Sequence, residues 1–181
     1  MGILRREFLV SNWGAAALLH SSSLFASAQS NKPKIGIQLY AVRHEFENDV
    51  PGTLQKLAEI GYQGVEFWGY GGTENVYKEW SAKQLRELLD KNKLQCCGIH
   101  MSVNALSDQN LQTTIKNNKI LGTPYLVVAA ANKLMETRES INKFANILNE
   151  SSKKVKPHNM KVGYHCHGFD FDKIGDTTKW D

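Results

Sequence analysis

Short runs of β-forming residues alternate with amphipathic helical stretches along most of this chain. Apolar residues recur at helical spacing within the stretches, as Leu54, Leu57 and Ala58 do in one of them and Leu85, Leu88 and Leu89 in another. This alternation predicts parallel strands with helices outside them. The predicted strands are Lys34–Tyr40, Gln63–Trp68, Gln95–Met101, Tyr125–Ala130 and Lys161–His167.

The predicted helices carry recognisable start and stop signals. Ser81 and Gln84 have the spacing of a capping box at the start of the second helix. Gly61 and Gly122 stand where two helices should end before the next strand. A helix is also predicted over Asp108–Leu121, and a further one follows from the stripe that Ile141, Phe144, Ala145 and Leu148 form.

Four of the strands share a Gly-apolar-polar motif, in which the polar residues are Gln38, Glu66, His100 and His165. Strand alternation puts the glycine and the polar residue on one face and the apolar residue on the other. We expect Val65, Phe67, Cys97 and Ile99 to face the helices. We expect the polar residues to gather at the carboxyl ends of the strands, where parallel α/β folds bind ligands, with the glycines below leaving room for a small ligand. The alternative is that these polar residues only cap strand ends in solvent.

Two α/β architectures are compatible with five strand–helix repeats. A complete flavodoxin-like sheet is one, but the loop after Tyr40 has no glycine-rich phosphate cradle and no fifth helix follows the last strand. A (β/α)₈ TIM barrel is the other, and it needs ~250 residues. We therefore expect residues 29–181 to be the N-terminal part of an incomplete TIM barrel, with about five βα units, C-terminal units missing and no activity alone.

The first 28 residues have the pattern of an export signal. The pair Arg5-Arg6 precedes a weakly apolar stretch that is too short to span a bilayer, and Ala26-Ser27-Ala28 forms a small-x-small cleavage site. The segment 1–28 resembles a Tat-type signal peptide, and we expect an exported, periplasmic protein with no stable membrane anchor after cleavage.

Charge and cysteine content narrow the function classes. The net charge is +4, and Lys and Arg are scattered, which predicts no nucleic-acid partner. Cys96, Cys97 and Cys166 have neither metal-finger spacing nor the number of a disulfide framework, so we expect buried free thiols.

Several of these motifs resemble one family. Gly36–Arg43 looks like the first strand of the sugar phosphate isomerases/epimerases with a xylose isomerase-like TIM barrel, and Gly61–Phe67 looks like their second. Gly98–Ser102 and Gly163–Phe171 resemble their third and fifth strands. The resemblance covers essentially all of Lys34–Asp181 and is unspecific for substrate.

The resemblance implies a divalent metal, Mn²⁺ or Mg²⁺ most readily, and a small-molecule carbohydrate substrate. The family's four metal ligands come from the ends of its last four strands, so this chain would hold only the first. Asp170 stands where the family commonly has Glu, and Cys166 stands where it has Asn. Aspartate binds such metals through oxygen but is one methylene shorter. The alternative for Asp170 is an ordinary loop carboxylate.

The resemblance also implies substrate-binding roles for Glu66 and His100. His165 and His167 lie on the same side of a strand, and substrate contact is favoured over metal ligation because hard cations prefer oxygen ligands. Gln38 completes the predicted substrate-binding set. Trp68, Tyr70 and Trp80 are candidates to stack on a sugar ring, and packing under a loop is their alternative role.

Three functions are compatible with these features. The first is a metal-dependent isomerase, epimerase or lyase that moves a proton beside the carbonyl of a keto-sugar or glycoside through an enediolate. The second is a non-catalytic carbohydrate-binding barrel whose metal site has decayed. The third is an AP-endonuclease-like hydrolase, which is disfavoured because an exported protein meets no DNA in its usual compartment.

The N-terminal pattern makes a direct prediction about export. N-terminal sequencing of the exported protein should begin at Gln29, and replacing Arg5 and Arg6 together with Lys should hold the precursor in the cytoplasm, because the Tat pathway reads the arginine pair. Export of the double variant at the wild-type level, measured by cell fractionation, would contradict the Tat assignment.

Overall fold

The computed structural model describes residues 33–129 and 131–181, so the proposed signal segment 1–28 and Ala130 lie outside the described residues. The helices in these ranges are too short or too polar to cross a bilayer. The α-helices are α1 (Arg43–Asn48), α2 (Val50–Ile60), α3 (Ala82–Lys91), α4 (Leu111–Leu121) and α5 (Arg138–Val155). The strands are β1 (Gly36–Gln38), β2 (Gly64–Tyr70), β3 (Asn75–Tyr77), β4 (Trp80–Ser81), β5 (Gln95–Met101), β6 (Tyr125–Val128), β7 (Lys161–Tyr164), β8 (Lys173–Ile174) and β9 (Thr177–Thr178).

One parallel sheet organises the fold, in the order β1-β2-β5-β6-β7. Each strand of this sheet thus pairs with the sheet strand that follows it along the chain. A flavodoxin-like sheet would reverse direction at a switch point, whereas a barrel adds its strands in chain order. The observed order excludes the open doubly wound sheet and gives a partial (β/α)₈ TIM barrel of five strands.

The predicted helix signals are confirmed. The Asp49 carboxylate accepts a hydrogen bond from the Gly52 N–H at the start of α2, and Gly61 ends that helix at a φ of 110°. Ser81 and Gln84 form the capping box that starts α3. Gly122 ends α4 at a φ of 76°. Glycine adopts these left-handed conformations without the steric cost of a Cβ.

The apolar face of the sheet packs against the helices as predicted for its central strands. Val65, Phe67 and Ile99 are fully buried in one apolar cluster that includes Leu54 of α2 and Leu85 of α3. Burial of a side chain of this size stabilises the fold by about 1.5–3 kcal/mol.

A β-bulge between β2 and β5 overturns the predicted position of Cys97. Val65 pairs with Cys96, but Glu66 pairs with Gly98, so Cys97 is an extra residue in the ladder. A Cβ on Gly64 would clash with its Sγ, which puts the thiol on the glycine face of the sheet. Cys97 and Cys166 are exposed, so the expectation of a buried thiol holds only for Cys96.

The prediction that the motif glycines leave open space above them is also partly wrong. A Cβ on Gly36 would lie 3.2 Å from Cys97 Sγ, and one on Gly98 would lie 2.8 Å from Glu66 Oε1. The room that these glycines leave is therefore used by neighbouring side chains. Only above Gly163, among these motif glycines, does the space stay free.

A second irregularity lies at the end of β2. Phe67 pairs with Ile99 and Tyr70 pairs with Met101, so β2 has one residue more than β5 here, and Gly69 takes a φ of 76°. The extra residue turns Tyr70 away from the face that Trp68 occupies. Tyr70 is buried, and its hydroxyl accepts hydrogen bonds from Thr114 and Asn117 of α4, so it is not available to stack on a sugar.

The strand ends differ from the predicted bounds because the chain leaves the extended conformation early. A 3₁₀ turn begins at Leu39, which shortens the first strand, and the last strand of the sheet ends at Tyr164 rather than His167. The β3–β4 hairpin was not predicted, because its strands are too short to show a period of two.

The backbone of the loop after β2 requires a glycine at position 72, and this requirement can be tested. Gly72 has a φ of 94°, and a Cβ there would lie 2.8 Å from Ala105 Cα. We expect Gly72→Ala to lower the free energy of unfolding by about 2 kcal/mol or more through strain and overpacking. Gly71→Ala, beside open space, should change it by less than about 0.5 kcal/mol. Chemical denaturation of the two variants checks this, and equal effects would contradict the described loop.

Candidate active site

A cavity of about 490 Å³ lies at the carboxyl ends of the parallel strands. This is where parallel α/β folds place their ligands. Its lining is polar on one side and apolar on another, as in most small-molecule sites. The residues that line it are Gln38, Tyr40, Trp68, Gly69, His100, Met101, Ser102, Ala129, His165 and His167.

A polar network joins β1, β2 and β5 at this edge of the sheet. The Gln38 amide donates to Glu66 Oε2 over 3.1 Å and lies 2.7 Å from His100 Nδ1. His100 Nε2 lies 3.3 Å from the same Glu66 oxygen. Because an amide has two N–H groups, Gln38 can donate to both partners at once. The structure thus brings together three of the four polar residues of the Gly-apolar-polar motif.

The surroundings of His100 favour its neutral form. Burial lowers the pKa of His100, Glu66 opposes that shift, and His165 and His167 add to it. A neutral imidazole accepts at one nitrogen and donates at the other. Gln38 Nε2 lies within 3.3 Å of both ring nitrogens of His100, so a neutral ring can accept from Gln38 at one of them.

His165 and His167 continue the polar side of the cavity. The ring of His165 lies 4.8 Å from that of His100 and 4.7 Å from that of His167, measured between centroids. His165 is exposed to the cavity, whereas His167 is half-buried and stacks on Phe169. All five predicted substrate-binding residues therefore lie in one cluster, with Glu66 beneath the residues that line the cavity.

Asp170 lies beside this cluster and is not among the residues that line the cavity. The residue is fully buried in the 3₁₀ turn Gly168–Phe171. Its Oδ2 accepts hydrogen bonds from the Tyr164 hydroxyl over 2.8 Å and from the His167 N–H over 2.7 Å. Burial and, second to it, this bond to Asp170 raise the pKa of Tyr164. The carboxylate thus fixes the backbone that carries His167.

The described residues fit a divalent metal only in part. They contain no group of three or more His, Cys, Asp or Glu side chains arranged to hold a metal ion. Asp170 Oδ1 is buried without a hydrogen-bond partner in this part of the chain, and so is His167 Nδ1. Such an oxygen suits one ligand of a hard cation. Asp170 Oδ1 thus fits as one ligand of a divalent metal, and a complete site needs others.

The structure adds cavity residues that the sequence pattern missed. Ser102 and Ala129 come directly after β5 and β6, and Tyr40 comes two residues after β1. Their position just beyond a strand end is the signal that would have found them. Of the aromatic candidates, Trp68 lines the cavity, whereas Tyr70 and Trp80 do not.

Comparison with known proteins agrees with this architecture. Residues 54–180 match the model of a family described as xylose isomerase-like TIM barrel. No curated protein matches the sequence. Solved structures match the fold: a sugar phosphate isomerase/epimerase from Parabacteroides distasonis superposes with a TM-score of 0.68 at 21% identity, over 78% of this chain and 53% of that one.

Two further structures show the same fold. A second sugar phosphate isomerase/epimerase from Parabacteroides distasonis has a TM-score of 0.63 at 20% identity, with 78% of this chain and 57% of that one covered. An AP endonuclease, family 2, from Brucella melitensis has a TM-score of 0.56 at 17% identity, with 73% and 54% covered. The chain thus spans about half the length of these proteins. Its sequence match and its strand order together place it in the xylose isomerase-like TIM barrel family.

Proposed function

We propose that this chain is part of an exported, metal-dependent enzyme of the sugar isomerase/epimerase type. Its reaction is proton transfer at the carbon beside a sugar carbonyl, and its substrate is a keto-sugar or a glycoside. The observation that carries the proposal is the convergence of Gln38, Glu66, His100, His165 and His167 at one edge of the parallel sheet, beside a cavity of about 490 Å³.

The polar cluster has the groups that sugar hydroxyls need. Imidazole, amide and carboxylate groups offer both donors and acceptors, and a sugar presents both. In the proposal, Gln38 holds Glu66 and His100 in fixed orientations, which lowers the cost of ordering them when substrate binds. His165, the exposed member, contacts the sugar directly, and the neutral His100 keeps the cluster free of added positive charge.

The metal ligand that this chain would supply is Asp170. Its Oδ1 is a buried carboxylate oxygen without a partner in the described residues, and that observation supports the assignment. A bound Mn²⁺ or Mg²⁺ would polarise the sugar carbonyl and stabilise the negative charge that develops on the sugar oxygens. The remaining ligands, and the group that takes the proton, belong outside the described residues.

An unphosphorylated sugar fits the proposal better than a sugar phosphate. Neither Lys nor Arg is among the described residues that line the cavity, although phosphate recognition ordinarily uses such groups. Export through the Tat pathway, for which Arg5-Arg6 is the motif, would also separate the protein from most sugar phosphates. The proposed partner is therefore a small neutral carbohydrate and not a nucleic acid.

A carbohydrate-binding barrel without catalytic activity is the second candidate. The engagement of Asp170 Oδ2 by Tyr164 and by the His167 N–H favours it, because a carboxylate that serves the backbone has only one oxygen left for a metal. An AP-endonuclease-like hydrolase is third, since no described feature favours a DNA substrate.

The proposed reaction is tested by solvent deuterium incorporation. The full-length protein with Mn²⁺ should exchange the proton beside the carbonyl of its keto-sugar substrate, and a chelator should stop the exchange. Asp170→Asn keeps the shape of the side chain but removes its charge, so it should weaken Mn²⁺ binding about tenfold and reduce exchange. Exchange that persists without metal would overturn the mechanism, whereas sugar binding without any exchange would favour the non-catalytic barrel.

Replacement of His165 should lower the affinity for the sugar and leave the affinity for the metal unchanged. We expect His165→Ala to weaken sugar binding about tenfold, because it removes a hydrogen-bonding group, and to leave Mn²⁺ affinity unchanged. Isothermal titration calorimetry measures both quantities. His44→Ala, which removes an exposed histidine of α1, is the matched control and should change neither.

The neutral His100 also predicts how stability depends on pH. Because burial lowers its pKa in the folded protein, the unfolded chain binds a proton more readily, and the free energy of unfolding should fall as the pH drops below the ordinary value of 6.5. We expect His100→Gln to flatten this part of the pH profile and His44→Gln to leave its slope unchanged. Urea unfolding at a series of pH values checks the prediction, and parallel profiles for wild type and His100→Gln would contradict it.

A further inference from the structure

The cavity has an aromatic corner formed by two of its lining residues, and we propose that this corner is a second subsite, one that binds the ring-shaped substituent of a glycoside. The corner consists of Tyr40 and Trp68, at the ends of β1 and β2. The inference rests on the proposed carbohydrate function and makes it more specific: the substrate carries a second ring beside the sugar that the polar cluster holds.

The two rings meet nearly at a right angle. Their centroids are 5.9 Å apart and their planes are inclined by 79°. Two perpendicular rings give a flat ligand ring one surface to stack on and one to touch with its edge. Aromatic groups prefer such stacked and edge-to-face arrangements, and the apolar face of a sugar ring can use the same surfaces.

Trp68 is held rigidly from behind. Its ring lies 4.8 Å from that of Tyr77 in the β3–β4 hairpin and 5.6 Å from that of Phe46 in α1. Phe46 is fully buried and Tyr77 is 7% exposed, so the support is part of the core. A wall that does not move costs no ordering when ligand binds.

Tyr40 is the exposed part of the corner. It is 51% exposed although it is a large, partly apolar residue. The Arg43 guanidinium carbon lies 4.7 Å from the Tyr40 ring centroid and covers one face of the ring, so a ligand would use the other. An exposed aromatic ring inside a cavity is a surface that gains by being covered.

The histidines and the aromatic pair come from different strands. His100 stands on β5 and His165 and His167 come just after β7, whereas the aromatic pair stands at the ends of β1 and β2, the strands that also carry Gln38 and Glu66. A single sugar hydroxylated on all sides is served by the histidines. A wall built from Tyr40 and Trp68 instead matches an apolar ring face, and a volume of about 490 Å³ is within the range of cavities that hold ligands of drug size.

Binding of matched glycosides to the full-length protein tests the inference. Isothermal titration calorimetry would compare the binding of methyl glucoside, 4-nitrophenyl glucoside and the disaccharide cellobiose. The same comparison in the xylose series provides a second sugar. We expect the nitrophenyl glycoside, the disaccharide or both to bind about fivefold to tenfold more tightly than the methyl glycoside. The two arms distinguish an aryl substituent from a second sugar ring.

Three variants assign the preference to the corner. Tyr40→Ala should abolish it, and Tyr40→Phe should retain it because the ring remains. Tyr125→Ala is the matched control: Tyr125 is 47% exposed but begins β6, at the opposite end of the sheet. A preference that survives Tyr40→Ala, or wild-type protein that binds none of the glycosides more tightly than the methyl compound, overturns the subsite.

These outcomes are separate from those for the proposed reaction. Ring-dependent binding without deuterium exchange would leave the subsite standing and contradict proton-transfer catalysis. Exchange on a free keto-sugar without any ring preference would leave the reaction standing and contradict the subsite.

Discussion

The parallel pairing of the strands in chain order is the constraint on which the rest of this structure depends. Because every strand of the main sheet runs the same way, all the carboxyl ends meet at one edge, and residues that are 62 positions apart, such as Gln38 and His100, come within hydrogen-bonding distance. The helices that return the chain cover the other face with Val65, Phe67 and Ile99. Local sequence needs only to place a polar residue at each strand end, and the topology assembles the cluster.

Much of this arrangement can be predicted from the sequence, because its causes are local. The period of two, the helix stripes and the capping residues Ser81, Gly61 and Gly122 gave the element order, and the Gly-apolar-polar motif gave the polar cluster. The error at Cys97 and the burial of Tyr70 share one cause. An extra residue in a ladder reverses every later side chain, and it depends on pairing with a neighbouring strand, which no local pattern records. The burial of Asp170 has a related cause, since its partner Tyr164 lies across a turn.

The site combines two kinds of order. Hydrogen bonds fix Gln38, Glu66 and His100 relative to one another, while packing against Phe46 and Tyr77 fixes Trp68. Both are supported from the core side of the sheet, and the exposed members, His165 and Tyr40, are the ones left to meet a ligand. Membership of the xylose isomerase-like TIM barrel family is consistent with this division, because the fold supplies a rigid floor and its strand ends supply the contacts.

The contact between Glu66 and Gly98 has a consequence for how such sequences can diverge. A Cβ at position 98 would stand 2.8 Å from Glu66 Oε1, so any larger residue there would push the carboxylate out of the network with Gln38 and His100. The two positions, 32 residues apart, are therefore not free to drift independently. A side chain gained at 98 displaces the Glu66 carboxylate, so a residue other than glycine at 98 is expected together with a shorter residue at 66.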